Sequence, residues 1–286
     1  KIHRFYDSIR YFRQLGKRSY RSEIFNKKSF WKFPEWISLE KKWGLKSAYY
    51  FCPKKGKVID YVGSKLGFET APDPIYDIND SEFKKIMLKL LNLGHEVGLH
   101  ASYNSFKSKI ILENEKKAVE TIINNPIDGV RHHFWHLNPK DSFETLENHS
   151  SLGLKYDASL AFPKNTGFRN SVATPFNVFR NGKHLPIFEL PTSLMDDHLF
   201  SYFDNSVFEN NFKEIDSLIK NIIKYEGLLV IDFHVRVLNE LFFPEFGKVL
   251  NYIINKIKAN DDFYTDTPSN LIKYFNQRKK KLEVLE

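Results

Sequence analysis

Cysteine is almost missing from this sequence, since Cys52 is the only one among 286 residues. A single thiol cannot form a disulfide within the chain, which excludes a disulfide-stabilised scaffold. Any metal site must therefore use imidazole, carboxylate or amide ligands rather than thiolates. A chain with one cysteine also fits a reducing compartment.

Long hydrophobic runs are missing as well. The sequence contains neither a run of about 20 apolar residues that could cross a bilayer nor a signal peptide. We therefore expect a soluble, cytoplasmic protein without a membrane span. Internal repeats, low-complexity tracts and linkers are also lacking, so residues 1–286 are predicted to form a single domain.

Positive charge is in excess but is not clustered. Lys and Arg number 43 against 35 Asp and Glu, which gives a net charge of +8. A nucleic-acid-binding chain would concentrate such charge in a basic patch interleaved with aromatic residues. Here the lysines are spread along the whole chain and the aromatics follow the spacing of a buried core. The composition argues against a nucleic-acid partner and predicts no particular oligomeric state.

Helical and strand-like segments alternate along the chain. Apolar spacing and capping residues predict helices over 2–15, 34–43, 81–93, 110–124, 141–152, 207–225 and 244–259, and from 268 onward. Short apolar runs predict strands over 47–52, 96–101, 129–134, 156–162, 176–180, 186–190, 228–234 and 263–265. Residues 54–80 are predicted to be a long loop. This alternation implies parallel strands joined by crossover helices, and it predicts an α/β fold of the (β/α) barrel type.

Titratable side chains stand at the ends of several predicted strands. In barrels of this kind, catalytic residues come from the carboxyl ends of different strands. The strand-end residues are His100, Arg131, His132, His133, Asp157 and His234. A lone histidine at a strand end is more often structural. Convergence of several strands on one rim favours a functional site.

The segment from Gly94 to His100 resembles the second motif of the polysaccharide deacetylases of the NodB-homology type, or carbohydrate esterase family four. In that motif a helix ends at Gly-His-Glu, and the next strand delivers a metal-binding histidine, with a second ligand four residues later. The resemblance makes His100 the first ligand and puts Asn104 in the second position. An amide oxygen is a weaker ligand than imidazole for a zinc-like ion.

Three further stretches keep the motif order of the family. Residues 129–134 resemble the third motif, whose arginine, here Arg131, orients the catalytic carboxylate. The segment 156–160 is similar to a Tyr-Asp-Ser-Ser-Leu segment and places Asp157 near the pocket. The stretch 229–234 resembles the fifth motif, which implies that His234 is the general acid. Either Asp157 or Asp232 is expected to orient His234, and Asp232 shares its face of the strand.

Other segments, 167–176 and 189–196, are similar to a divergent subgroup associated with surface-polysaccharide biosynthesis. On this resemblance the expected substrate-binding residues are Tyr103, Phe168, Arg169 and Asp196. His133 lies two residues beyond Arg131 and so points to the same side of the strand. It is a second metal-ligand candidate beside Asn104, or alternatively it binds substrate hydroxyl groups.

The resemblance as a whole implies a distorted barrel of about seven strands. It also implies a hydrolase that uses a divalent metal, with zinc expected, to remove acetyl groups from N-acetylated sugars. The His-Asp-x-Asp run of the first family motif does not occur in this sequence. We expect that acidic strand to be encoded immediately upstream of Lys1.

Two other functions remain open. A catalytically silent glycan-binding relative would explain Asn104 and the missing acid pair. A cyclic-amide hydrolase, similar to the allantoinase-like relatives, would keep the barrel and change the substrate. Among the remaining histidines, His95 is expected to pack at a helix end, and His136 and His149 are expected to be solvated.

Overall fold

The structure is a computed structural model that describes residues 30–199 and 208–283. The predicted helix over 2–15 and the expected acidic strand before Lys1 lie outside the described residues. The prediction that residues 1–286 form one domain therefore stays a prediction. Within the described ranges no helix is both long and apolar enough to span a membrane.

Helices and strands alternate through the described chain. The helices are α1 (Phe33–Trp43), α2 (Val58–Lys65), α3 (Ser81–Asn92), α4 (Lys109–Ile123), α5 (Ser142–Ser151), α6 (Phe208–Lys224), α7 (Phe246–Lys258) and α8 (Pro268–Glu283). The strands are β1 (Ala48–Phe51), β2 (Glu96–Ala101), β3 (Gly129–His132), β4 (Tyr156–Asp157), β5 (Phe176–Arg180), β6 (Lys183–Glu189), β7 (Thr192–Met195) and β8 (Val230–Asp232). Single 3₁₀ turns follow four of the strands, at Ser105–Lys107, His133–Trp135, Asp196–His198 and Val235–Leu238.

The strands form one six-stranded sheet, in the order β1-β2-β3-β4-β6-β5, and a two-stranded sheet of β7 and β8. All neighbours pair in parallel except β5 with β6, which form an antiparallel hairpin. Parallel pairing requires a crossover between the strands, and helices supply it from β1 to β2, β2 to β3, β3 to β4 and β7 to β8. The α/β class and the mainly parallel arrangement of the strands are therefore confirmed.

Two clusters of buried side chains fill the space between helices and strands. The first packs α3, α4 and α5 against β1, β2, β3, β5 and β6, with Leu99 and Val130 fully buried. The second packs α6 against α7 and β7. Amphipathic spacing produces this arrangement, since the apolar face of α3 buries Ile86, Met87 and Leu90. The apolar faces of helices and strands thus bury one another. Strands that pair in parallel also have their carboxyl ends on the same side of their sheet.

Helix ends are set by capping residues such as Gly94 and Asp141. Gly94 adopts φ +80° directly after α3, and the next amide, that of His95, donates to the carbonyl of Leu90 at 3.0 Å. A left-handed residue in this position closes the last turn of a helix. At the start of α5, the Asp141 carboxylate accepts the backbone N–H groups of Phe143 and Glu144.

Several predicted boundaries are wrong. Residues 54–80 contain helix α2, and 263–265 form no strand. The strand predicted over 156–162 ends at Asp157, because the next amides bond to side chains. The amide of Ser159 donates to Asp157 at 2.7 Å, and that of Leu160 donates to Glu189 at 3.0 Å. Strand β7 was not predicted, because its residues follow β6 after a two-residue link.

Candidate active site

Three histidines stand at or just beyond the carboxyl ends of strands. His100 lies in β2, His133 follows β3, and His234 follows β8. The rings of His100 and His133 lie 5.0 Å apart between centroids, at an interplanar angle of 71°. Burial lowers the pKa of His100, and the charges of His133 and His234 lower it further. His100 and His133 are therefore direct neighbours, although they are 33 residues apart in the sequence, and the charge of His234 acts on both.

The orientation of His100 is set by a backbone carbonyl. Its Nδ1 lies 3.0 Å from the carbonyl oxygen of Arg131 in the neighbouring strand. A carbonyl oxygen can only accept, so Nδ1–H donates and Nε2 keeps its lone pair. Metal-binding histidines usually donate their second ring N–H in this way. His100 thus presents an unprotonated nitrogen on the side away from β3.

His133 faces the carboxylate of Asp73, which was not predicted from the sequence to be a site residue. Its Nδ1 lies 3.4 Å from Oδ1 of Asp73, which is 1% exposed. The same carboxylate accepts the backbone N–H of Tyr103 at 2.7 Å and pairs with Lys54 Nζ at 3.1 Å. Burial raises the pKa of Asp73, but the contacts with His133, Tyr103 and Lys54 outweigh it and the pKa is lowered. Asp73 is therefore a carboxylate held ionised beside His133.

A signal for Asp73 was present in the sequence. The predicted loop over 54–80 is longer than most connections in compact domains, and long loops are often functional. Asp73 stands between Pro72 and Pro74 within it. No pattern in the sequence, however, indicates that this loop crosses the strand ends.

His234 is held by Asp196. The Asp196 carboxylate accepts the backbone N–H of His234 at 2.6 Å, and Oδ2 also lies 3.0 Å from His234 Nδ1. Asp196 is fully buried, whereas 36% of the His234 side chain is exposed. Burial lowers the pKa of His234, but the charge and hydrogen bond of Asp196 outweigh it, and the pKa is raised. His234 is thereby suited to carry a proton and to present Nε2 outward.

This contact corrects two sequence expectations. Neither Asp157 nor Asp232 is bonded to the His234 ring in the part of the chain that the structure describes; Asp196 occupies that place. Asp196 had been expected to bind substrate, but it is buried behind His234. The strand pattern of the sequence does not predict the contact between Asp196 and His234, because Asp196 lies in the 3₁₀ turn that follows β7.

Arg131 joins the two sheets. Its guanidinium pairs with the Asp232 carboxylate at 2.8 Å, donates to the carbonyl of Ala158 at 3.2 Å, and lies over the Tyr50 ring at 4.7 Å. A fourth contact runs from Nη2 to the Thr192 hydroxyl at 3.4 Å. The carboxylate that Arg131 holds is thus Asp232, two residues before His234.

Asp157 belongs to a separate buried network. Its Oδ2 lies 3.0 Å from His149 Nδ1, and His149 Nε2 lies 2.9 Å from His132 Nε2. Burial, followed by the charge of Asp157, raises the pKa of Glu189 well above its usual value, which favours its neutral form. His149 is fully buried, and the prediction that it is solvated is wrong. The reason is that α5 turns this face toward β3 and β4.

The remaining candidates lie at different distances from the histidines. Tyr103 borders the site through its bond to Asp73. Asn104 begins the turn after β2, where its carbonyl accepts the N–H of Lys107 at 3.2 Å. Phe168 packs partly buried against the second core cluster, and Arg169 donates to the carbonyl of Ala161 at 3.4 Å. The roles proposed for these residues stay predictions.

The donor set fits a zinc-like ion in chemistry and only partly in number. His100 and His133 are close neighbours whose Nδ1 atoms face a carbonyl and a carboxylate, respectively. This leaves both Nε2 atoms available, as zinc sites require. Across residues 30–199 and 208–283, however, no three His, Cys, Asp or Glu side chains are grouped closely enough to hold a metal ion.

Comparisons with known proteins support the fold. No family model and no curated protein matches the sequence. Among solved structures, a protein assigned as a polysaccharide deacetylase from Mycobacterium smegmatis has a TM-score of 0.62 at 14% identity, covering 94% of this chain and 84% of its own. An allantoinase gives 0.60 at 10% identity, with 92% and 78% covered. A protein assigned as a polysaccharide deacetylase from Pseudomonas aeruginosa PAO1 gives 0.56 at 11% identity, also with 92% and 78% covered.

At these identities the similarity concerns the fold. It extends over nearly the whole chain, and it agrees with the motif order read from the sequence. This protein has the (β/α) barrel fold of the NodB-type polysaccharide deacetylases.

Proposed function

We propose that this protein is a metal-dependent hydrolase that removes acetyl groups from N-acetylated sugars of a polysaccharide or its precursor. The observation that carries the proposal is the placement of His100, His133 and His234 at the carboxyl ends of β2, β3 and β8, with the rings of His100 and His133 5.0 Å apart. Each of their Nδ1 atoms faces a carbonyl or carboxylate oxygen, and each Nε2 is left for chemistry. Fold similarity to polysaccharide deacetylases supports the same reaction class.

Amide hydrolysis needs an activated water, a polarised carbonyl and a proton for the leaving amine. A divalent ion, with zinc expected, would supply the first two by making water more acidic and by acting as a Lewis acid. His100 and His133 are the residues that would hold the ion. The Nδ1–H bond of His100 to the Arg131 carbonyl, and the Asp73 carboxylate that faces His133 Nδ1 at 3.4 Å, would keep the two rings oriented for that role.

The proton for the amine comes from His234. As the C–N bond of the acetamide breaks, the proton on His234 Nε2 passes to the departing nitrogen, and acetate is the other product. The raised pKa of His234 favours the protonated imidazole, which is the form that a general acid needs. Asp196 keeps the ring in place and stabilises its positive charge. Arg131 holds the Asp232 carboxylate in an ion pair of 2.8 Å, two residues before His234.

The direct test is acetate release from N-acetylated oligosaccharides by the full-length protein, with and without added zinc. Release that depends on zinc and on His234 is the expected result. A catalytically silent glycan-binding relative is the second candidate, because the described residues bring together two metal ligands and not three. That protein would bind oligosaccharides and carry little metal by elemental analysis.

A cyclic-amide hydrolase is a further candidate, favoured by the allantoinase among the structural neighbours. Ring opening of allantoin, measured in the same preparations, separates it from the deacetylase. The deacetylase proposal is contradicted if allantoin is opened and no acetate is released.

A further inference from the structure

Phe134 is an exposed aromatic ring directly beside the candidate site. It is 57% exposed, and its ring centroid lies 4.7 Å from that of His133. Its backbone adopts φ +56° and ψ +21°, and the following Trp135 adopts φ +49°. Bulky residues rarely adopt this left-handed conformation, and such strain is concentrated at functional sites.

Burial of Trp135 does not by itself explain Phe134. Trp135 is 8% exposed, with its ring 5.4 Å from that of His198, so the turn does bury one aromatic side chain. A glycine or asparagine at position 134 would adopt the left-handed backbone at lower cost and would still let Trp135 turn inward. The strained position instead holds a large apolar ring in solvent.

Tyr103 forms a second wall beside Phe134. The two rings are 6.1 Å apart and nearly perpendicular, at 83°. The Tyr103 ring lies 3.9 Å from that of His136 between centroids, tilted by 32°, and the Nδ1–H of His136 donates to the Tyr103 carbonyl at 2.7 Å. The backbone N–H of Tyr103 donates to Asp73, the carboxylate that faces His133. Asp73 therefore both holds the backbone of Tyr103 and faces His133, the candidate metal ligand.

We propose that Phe134 and Tyr103 form a carbohydrate-binding subsite, in which Phe134 stacks on the apolar face of a pyranose ring. This ring is the neighbour of the sugar whose acetamido group reaches His100, His133 and His234, so the subsite rests on the proposed function. The chemistry suits a sugar because a pyranose with equatorial substituents has a flat C–H face and polar edges. The Phe134 ring matches the face, and the Tyr103 ring, which is nearly perpendicular to it, stands beside the edge.

The subsite makes the protein selective for oligosaccharides over monosaccharides. A single N-acetylated sugar occupies only the histidine site and does not reach Phe134. A longer chain places its next ring on Phe134 and gains an aromatic contact. Loss of such a contact is expected to weaken binding about tenfold.

The test compares binding of tetra-N-acetylchitotetraose and of N-acetylglucosamine to the full-length protein by calorimetry and NMR titration. Phe134→Ala should weaken tetrasaccharide binding about tenfold and leave monosaccharide binding unchanged. Phe134→Trp should restore it. Phe134→Asn should raise the melting temperature by relieving the backbone, and still weaken binding, which separates stacking from folding.

Phe179→Ala is the matched control. Phe179 is 59% exposed with a histidine ring, His184, at 5.1 Å, but it pairs with the start of β6, at the edge of the sheet opposite the histidine site. This variant should bind the tetrasaccharide as the unaltered protein does. Tetrasaccharide binding that is absent, or equal in Phe134→Ala and the unaltered protein, overturns the subsite.

Acetate release in the same variants separates the subsite from the proposed function. Phe134→Ala should raise KM for the tetrasaccharide and leave kcat nearly unchanged. Binding that depends on Phe134 without any acetate release contradicts the hydrolase and supports the subsite. Acetate release with an unchanged KM in Phe134→Ala overturns the subsite and leaves the hydrolase standing.

Discussion

Asp196 binds His234 through both its backbone and its ring. The carboxylate accepts the His234 amide N–H at 2.6 Å and lies 3.0 Å from Nδ1, across a sequence separation of 38 residues. These two bonds join the turn after β7 to the end of β8. The buried carboxylate therefore sets both the position and the protonation of the imidazole proposed as the general acid.

Replacing this carboxylate should shift the pH dependence of activity. In Asp196→Asn the raising effect of the charge is lost, so the pKa of His234 falls. A general acid must be protonated, so the alkaline limb of the kcat profile should move to lower pH. Asp197→Asn, at the next position, is the control and should leave that limb in place. An unchanged limb in Asp196→Asn would show that His234 does not donate the proton.

Alanine substitutions should separate the roles of the histidines. His234→Ala removes the proton donor and should lower kcat by roughly 10²–10⁴ with little change in metal content. His100→Ala should lose activity and bound metal together. Elemental analysis and acetate release on the same preparations measure both. The exposed His184→Ala is the control, and full activity in both test variants would exclude these roles.

The pair of Arg131 and Asp232 should stabilise the fold as well as the site. Removing Arg131 leaves a partly buried carboxylate, and it breaks contacts that bridge the two sheets. Arg131→Met should therefore cost roughly 2–3 kcal/mol in free energy of unfolding, somewhat less than a fully buried pair, because 20% of the Asp232 side chain is exposed. Urea denaturation of Arg131→Met, Asp232→Asn and the double variant measures the coupling. Additive effects would show that the pair contributes nothing.

The buried His132 should make stability depend on pH. Burial, then the charge of His149, lowers the pKa of His132 to about 3. In the unfolded chain His132 binds a proton near pH 6.5, whereas in the folded protein it does so only near pH 3. Between these two pH values the unfolded state binds more protons, so the free energy of unfolding falls as the pH drops from 6.5 to 3. Between pH 7 and 5 the loss should be roughly 1–2 kcal/mol.

His132→Gln should flatten this dependence, since an amide does not titrate. The free energy of unfolding at both pH values gives the answer, with exposed His184→Gln as the control. An equally steep loss in His132→Gln would assign the pH dependence to other groups.

Local patterns predicted most of the scaffold. Strand β2 begins and ends as predicted, and α3 and α4 differ from prediction by one residue at each boundary that moved. These segments have strong apolar periodicity and clear end signals at Gly94 and Asn124. The predicted length of β4 was wrong. Beyond Asp157 the backbone N–H groups donate to the side chains of Asp157 and Glu189 instead of to a neighbouring strand. Such bonds depend on groups that packing brings together.

The sequence by itself determined the alternation of helices and strands, and with it the delivery of His100, His133 and His234 to one rim. That much follows from local spacing, because parallel strands joined by crossover helices share their carboxyl edge. Tertiary structure alone decided that Asp196 holds His234, that Asp73 faces His133 and that His149 is buried. Periodicity states which face of an element is apolar, whereas the partner of a polar group depends on how distant segments pack around it.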